Sequence, residues 1–185
     1  MRLIETGLPG CVVVEPRVFE DARGFFYESF NHAKLKVHGI QPIFVQGNVS
    51  VSRGNVLRGL HYQCPNPQGK FISVLEGEIW DVAVDIRRGS PTFSRWTAVV
   101  LGHVNKRQLW VPEGFAHGFV VLSDKAIVSY LCTETYDPNA DAAIRWDDPQ
   151  LAIDWPVSVP VLSDKDAKAP LLGEVPAERL PRFDG

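Results

Sequence analysis

Five histidines, His32, His38, His61, His103 and His117, are the side chains best suited to moving protons near neutral pH. Two of them sit where chemistry is plausible. His61 lies in Leu57-Arg58-Gly59-Leu60-His61-Tyr62-Gln63, a strand-like run whose glycine lets another group approach closely. His117 follows Pro112-Glu113-Gly114-Phe115-Ala116, a turn feeding an apolar strand. His32 and His38 fall on a short helical segment and His103 in a polar turn, which predicts solvent-facing roles for these three. Taken singly, His61 and His117 each fit a hydrogen-bonded structural histidine better than a catalyst. The three cysteines, Cys11, Cys64 and Cys132, form no CxxC pair. They predict isolated thiols in a reducing compartment, not a zinc knuckle or a disulfide framework.

The elements that must position these groups are strands. In Ile79-Trp80-Asp81-Val82-Ala83-Val84-Asp85-Ile86, apolar Trp80, Val82, Val84 and Ile86 alternate with Asp81 and Asp85, the pattern of a half-buried strand. Phe71–Leu75 precedes it across Glu76-Gly77-Glu78, which reads as a hairpin turn. Further strands are expected at Cys11–Glu15, Phe25–Phe30, Phe44–Ser52, Val56–Gln63, Trp96–Leu101, Gln108–Val111, Gly118–Leu122 and Ala126–Thr133. Only Asn31–His38 reads as a helix, with Asn31 as its N-cap. From Tyr136 onward the chain is rich in Pro and Asp and is expected to wrap the sheets without extending them. About ten short strands with few helices predict an all-β antiparallel sandwich or barrel in one domain, residues 1–185.

Composition narrows the function. The chain has 185 residues, 19 Lys and Arg against 22 Asp and Glu, and a net charge of −3. That balance argues against nucleic-acid or anionic-membrane partners, which need a basic surface. It leaves room for one small anionic ligand held by local cations. Met1–Glu5 carries no signal-peptide core, and no apolar run approaches the ~20 residues of a membrane span. A soluble, cytoplasmic protein is the expectation.

Pro112-x-Gly114-x-x-His117 resembles the second motif of the cupins, small jelly-roll barrels. Metal-binding cupins also carry an HxH pair on an earlier strand. Here His61-Tyr62-Gln63 breaks the pair, and with it the converging ligand set a transition metal needs. A metal-free jelly roll is the expectation.

Over nearly its whole length the chain resembles the dTDP-4-dehydrorhamnose 3,5-epimerase family. The resemblance rests on Asp21–Phe26, Gln46-Gly47-Asn48, Arg53–Gln63, Gln68-Gly69-Lys70, Asp81–Arg87 and Ser90–Phe93. It continues through Val111–Phe119, Ile144–Pro149 and Leu162–Asp166, all in order. It implies a cofactor-independent isomerase that inverts C3 and C5 of a dTDP-4-keto-6-deoxyhexose toward the L-rhamnose series. Both carbons are alpha to the C4 ketone, so deprotonation gives an enolate without redox chemistry. Inversion needs a base on one face, an acid on the other and a group to hold charge on O4.

By that resemblance His61 is the base, and its imidazole suits proton abstraction near neutrality. Asp166, in Ser163-Asp164-Lys165-Asp166, is the carboxylate that would fix its tautomer, with Asp164 the nearby competitor. Tyr130 is implied as the acid and Lys70 as the cation at the keto oxygen. Arg23, Glu28, Gln46, Asn48, Arg58, His117 and Lys165 are implied substrate contacts, with Tyr136 stacking on the base. Asp141 stands where the family favours glutamate, and Ser94 where it favours glycine. Without the resemblance, the Ser163–Asp166 stretch would be read as a solvated loop, and Tyr130 and Lys70 as ordinary strand residues.

Strict alternation puts Arg58 and His61 on opposite faces of one strand. Either a bulge at Gly59 re-aims Arg58, or Arg58 serves another subunit's ligand; the family implies a homodimer with exchanged strands. Three alternatives stand beside the leading expectation. They are a single-centre 3- or 5-epimerase of a related dTDP-keto sugar, a non-catalytic sugar-binding jelly roll, and a metal-dependent cupin oxygenase, which Gln63 disfavours.

Overall fold

The computed structural model describes residues 1–183. Among these the period-two patterning becomes thirteen short strands. The first five are β1 (Arg2–Glu5), β2 (Val12–Glu15), β3 (Val18–Asp21), β4 (Gly24–Tyr27) and β5 (Gln46–Arg53). Next come β6 (Leu57–Gln63), β7 (Lys70–Glu76), β8 (Glu78–Asp85) and β9 (Trp96–Gly102). The last four are β10 (Gln108–Val111), β11 (Phe115–Val121), β12 (Lys125–Cys132) and β13 (Asp141–Ala143). One antiparallel sheet runs β1-β2-β10-β7-β12-β5 and a second β13-β6-β11-β8-β9, while β3 and β4 form a separate hairpin. Two antiparallel sheets closed over one core make the expected jelly roll.

The inner faces meet through Ile72, Val74 and Leu109 on one sheet and Ile79, Ala83, Leu101 and Phe119 on the other. The outer face of the five-stranded sheet is covered by Leu151, Trp155, Leu172 and Leu180, so the C-terminal segment does wrap the barrel. The outer face of the six-stranded sheet packs against α1 (His32–Val37). Asn31 caps that helix, its side chain accepting from the Lys34 amide at 3.1 Å. Six residues cannot hold a helix alone in water. Fully buried Leu35, set among Phe71, Trp110 and Val14, supplies the packing, with a burial worth about 2 kcal/mol.

Three sequence expectations need correction. Phe71–Leu75 and Ile79–Ile86 do not pair as a hairpin, because β7 and β8 belong to different sheets. Gly77, with φ +79°, is the corner between them, and a Cβ there would overlap the Lys125 carbonyl. Second, β8 is buried on both faces. Its apolar face is covered by the C-terminal wrap, and the face bearing Asp81 and Asp85 points into the barrel. Third, the segment after Tyr136 also extends a sheet, since β13 pairs with β6 through Asp141↔Gln63 and Ala143↔His61. β1 and β3 escaped sequence reading because Arg2-Leu3-Ile4-Glu5 and Val18-Phe19-Glu20-Asp21 carry no alternation.

Candidate active site

The site lies at one end of the barrel, where inward-facing positions of both sheets turn polar. On β6, Leu57, Leu60 and Tyr62 face the outer cluster. That leaves Arg58 and His61 both facing inward, three residues apart, which a regular strand does not allow. The irregularity is a bulge. His61 lies opposite His117 and Arg58 opposite Phe119, so β6 spends one more residue than β11 between the same two partners. Gly59 sits in that gap with φ +131°, and a Cβ there would come within 2.6 Å of the Gly118 Cα. Only glycine fits, and within this chain the bulge turns Arg58 to the same side of the strand as His61.

Two adjoining spaces result. An inner cavity of about 130 Å³ is lined by Ser50, Arg58, His61, Lys70, His117, Phe119 and Tyr130. An outer cleft of about 390 Å³ adds Gln46, Asn48, Gln68, Tyr136, Asp141 and Lys165, and shares His61, Lys70 and Tyr130 with the first. His61 stands on the five-stranded sheet, and Tyr130 and Lys70 on the six-stranded one. The two proton-carrying groups therefore approach the same space from opposite walls.

His61 Nε2 lies 2.5 Å from Asp166 Oδ1. Asp166 is carried by α2 (Asp164–Ala167), whose cap Ser163 accepts from the Asp166 amide at 3.1 Å. Burial alone would raise the Asp166 carboxyl. Hydrogen bonds from His61, Ser163 and the Gly59 backbone outweigh it and hold the group below the ordinary carboxylate value. Asp164, the competitor, is exposed on the same turn. A buried carboxylate that stays charged is suited to orienting an imidazole and stabilising its protonated form.

His117 is paired differently. Its Nε2 lies 2.9 and 3.0 Å from the two oxygens of Asp81, which is fully buried. Burial raises the Asp81 carboxyl despite His117 and Lys70 nearby. By its sequence pattern Asp81 belongs to the polar face of a half-buried strand. The missed signal was an acid on a strand whose two faces are both covered.

Lys70 opens β7 and is buried, with its Nζ 3.4 Å from the His61 carbonyl oxygen. Burial lowers its pKa below the ordinary lysine value, opposed by Cys132, Asp141 and Asp81. The Tyr130 phenol is raised above its usual value by burial and, less, by Cys132. It therefore keeps its proton at neutral pH. An anion forming between Lys70 and Tyr130 would meet one positive charge and one acidic proton.

In the outer cleft Gln46 Nε2 donates to Asn48 Oδ1 at 3.1 Å, and the Tyr136 amide donates to Gln46 Oε1 at 2.8 Å. The second contact ties the Tyr136 loop to β5, and the first orients the Gln46 amide along that strand. The Tyr136 hydroxyl donates to Asp141, which also pairs with Lys165. Arg58 Nε donates to Ser52 Oγ at 2.9 Å, leaving the rest of the guanidinium free to meet an anion. Gln63 is committed to structure, holding Asn66, Thr135 and Asp137. No group of three or more His, Cys, Asp and Glu side chains converges among the described residues.

Arg23 and Glu28 are not brought to this site. They lie at the β3–β4 hairpin and just after it, with Arg23 paired to Asp21 and Glu28 to Lys34. Neither lines the inner cavity or the cleft.

Fold and site together define a cupin-type jelly roll with a His–Asp pair facing a tyrosine and a lysine across one small cavity. The family model for dTDP-4-dehydrorhamnose 3,5-epimerase matches residues 5–174. The dTDP-4-dehydrorhamnose 3,5-epimerase of Salmonella typhimurium is 51% identical over 177 residues, covering 94% of this chain and 97% of that protein. Among solved structures, the dTDP-6-deoxy-D-glucose-3,5-epimerase of Legionella pneumophila, in complex with dTDP-4-keto-L-rhamnose, is 52% identical with a TM-score of 0.96. That match covers 100% of this chain and 99% of the other. A 3′-monoepimerase from Streptomyces bikiniensis, in complex with dTDP-quinovose, is 36% identical with a TM-score of 0.87, covering 95% and 91%. The chain belongs to the dTDP-4-dehydrorhamnose 3,5-epimerase family.

Proposed function

We propose that this chain epimerises dTDP-4-dehydro-6-deoxy-D-glucose at C3 and C5, giving dTDP-4-dehydro-L-rhamnose. The observation that carries this reading is the placement of His61 and Tyr130 on opposite sheets around one small cavity, with Lys70 beside both. A base and an acid on opposite walls can take a proton from one face of a ring carbon and return another to the far face. His61, held by Asp166, removes the proton alpha to the ketone. Lys70 stabilises the enolate oxygen, and Tyr130 supplies the proton that inverts the centre. The same set serves C3 and C5 in turn, since both carbons flank C4. Every electron pair stays on the sugar, so the step requires no redox cofactor.

The outer cleft takes the nucleotide. Gln46 and Asn48 offer amides to the thymine edge, and Tyr136 offers a half-exposed ring for stacking. Arg58, Lys165 and His117 supply cationic or donor groups toward the diphosphate and sugar. Asp141 holds Lys165 and Tyr136 in place.

We further propose a homodimer in which the β3–β4 hairpin reaches the neighbouring subunit's cleft. The hairpin exposes Phe19, Phe25 and Phe26, and the edge strand β5 exposes Val49 and Val51. A long edge strand and an apolar hairpin are surfaces that seek partners. This arrangement gives Arg23 and Glu28 a substrate to touch. A cytoplasmic setting agrees with three free cysteines, and no described helix is long and apolar enough to cross a membrane.

The second reading is a single-centre epimerase, favoured by the likeness to a 3′-monoepimerase. Product configuration separates the two. The keto sugar nucleotide is incubated with protein, reduced with borohydride, hydrolysed and resolved by chiral sugar analysis. L-rhamnose and 6-deoxy-L-talose are expected; D-series 3-epimers alone, or 6-deoxy-L-idose and 6-deoxy-L-altrose alone, would establish the single-centre reading at C3 or at C5, and unchanged D-series sugars would refute both.

A further inference from the structure

Alternation along β5 turns four polar side chains inward: Gln46, Asn48, Ser50 and Ser52. Three have partners. Gln46 bonds Asn48 and the Tyr136 amide, Asn48 also reaches the Cys132 sulfur at 3.6 Å, and Ser52 accepts from Arg58. Ser50 Oγ has none among the described residues, although the atom is buried. A buried hydroxyl without a hydrogen bond is a cost that native proteins seldom keep without reason.

Its position supplies the reason. Ser50 lines the inner cavity together with His61, Lys70 and Tyr130, while Gln46 and Asn48 line only the outer cleft. At about 3.4 Å per residue, Ser50 lies roughly 7 Å further along the strand than Asn48. The strand thus runs from the nucleotide's end of the site to the reacting sugar's end. A serine hydroxyl donates one hydrogen bond and accepts two, so it can meet a sugar hydroxyl or a keto oxygen. The other polar groups of the inner cavity are either ionisable or already paired.

We propose that Ser50 is a sugar-binding residue whose hydroxyl bonds an oxygen of the hexose and so distinguishes sugar nucleotides from dTDP alone. The proposal rests on the epimerase reading for the identity of the sugar, and on the cavity geometry for the contact. The hydroxyl has no protein partner among the described residues, and an oxygen of a bound hexose can supply one. Substrates lacking the matching oxygen would be discriminated against without any steric clash.

The test is Ser50→Ala, with Ser50→Cys as a second variant of similar size and weaker hydrogen bonding. Three quantities are measured: Tm of the free protein, Kd for dTDP and for unreactive dTDP-glucose, and kcat/KM for the keto sugar nucleotide. With no partner in the free protein, removing the hydroxyl is expected to leave Tm unchanged or raise it. Affinity for dTDP should hold within twofold, while affinity for dTDP-glucose and kcat/KM fall about three- to tenfold in both variants. Equal losses for dTDP and dTDP-glucose would overturn the proposal, as would no loss for either. A Tm lowered by several degrees in Ser50→Ala would also overturn it, since the hydroxyl would then have an internal partner. A wild-type protein that binds both ligands but inverts no carbon would refute the epimerase reading instead. The affinity difference would still decide the role of Ser50.

Discussion

Replacing Tyr130 by Phe removes one oxygen from a site where that oxygen is proposed to carry the inverting proton. The Tyr130 hydroxyl makes no hydrogen bond within the described residues, so the fold loses little by its removal, less than about 1 kcal/mol. The raised pKa of the buried phenol means that it is protonated throughout the neutral range and available as an acid. Loss of a positioned general acid costs about 10²–10⁴-fold, or roughly 3–5 kcal/mol of transition-state stabilisation. That loss should fall on inversion alone. His61 and Asp166 remain 2.5 Å apart on the opposite wall and can still form the enolate, so exchange with solvent persists. His61 returning its own proton gives retention. The assay is proton NMR in deuterated water, following deuterium entry and the appearance of inverted sugar in one sample. Exchange within about tenfold of wild type with inversion reduced at least 10²-fold is expected. A proportional fall in both would show that Tyr130 is not a dedicated acid, and native inversion would assign the donor elsewhere.

Gly59→Ala should lower stability by about 2–4 kcal/mol, because the left-handed φ and the Gly118 backbone leave no room for a Cβ. Thermal unfolding and kcat should fall together; a native Tm would show that the bulge tolerates a side chain. Asp85, held down at about 2 by Arg87, Ser90 and Thr92 against its burial, contributes about 2 kcal/mol relative to its ordinary 3.8. A depressed carboxylate stabilises above its unfolded pKa, so the Tm gap between wild type and Asp85→Asn should be constant above pH 5 and shrink from pH 4 toward 2. A gap that grows on acidification would reverse the assignment. Arg23→Ala and His61→Ala homodimers should each be nearly inactive, yet mixed subunits should recover about a quarter of wild-type activity through one intact site per heterodimer. No recovery would place Arg23 in its own subunit's site, and a fully active Arg23→Ala homodimer would place it outside any. Activity should survive exhaustive dialysis against a chelator, since no step in the proposed mechanism uses a metal. Loss restored by one divalent ion would revive a metal-cupin mechanism.

The sequence reveals the sheets through alternation, and most strand cores and the Asn31-capped helix follow from it. It hides what depends on the second layer. Gly77 reads as a hairpin turn because local chemistry cannot say that the next strand crosses to the other sheet. Asp81 and Asp85 read as a solvated face because the C-terminal wrap that buries Val82 and Val84 is remote in sequence. His61 and Tyr130 are named by resemblance, but their placement on opposite walls is visible only once the sheets close. The Arg58 problem shows both sides. Alternation exposed the conflict and Gly59 hinted at the bulge, while the β6–β11 register supplied the answer. Ser50 carried no signal at all, since an inward serine looks ordinary until its hydroxyl is found buried and unmatched. Arg23 and Glu28 lie outside the site of their own chain, where one subunit's geometry gives them no ligand.

The central claim, two-centre epimerisation through an enolate, is tested most directly by the isotope content of the product. The wild-type protein is incubated with dTDP-4-dehydro-6-deoxy-D-glucose in deuterated water, and the inverted sugar is examined by proton NMR and mass spectrometry. The account predicts one deuterium at C3 and one at C5 of the inverted product, with hydrogen retained at C2. Inverted product that keeps solvent-unexchanged hydrogen at either carbon would contradict it.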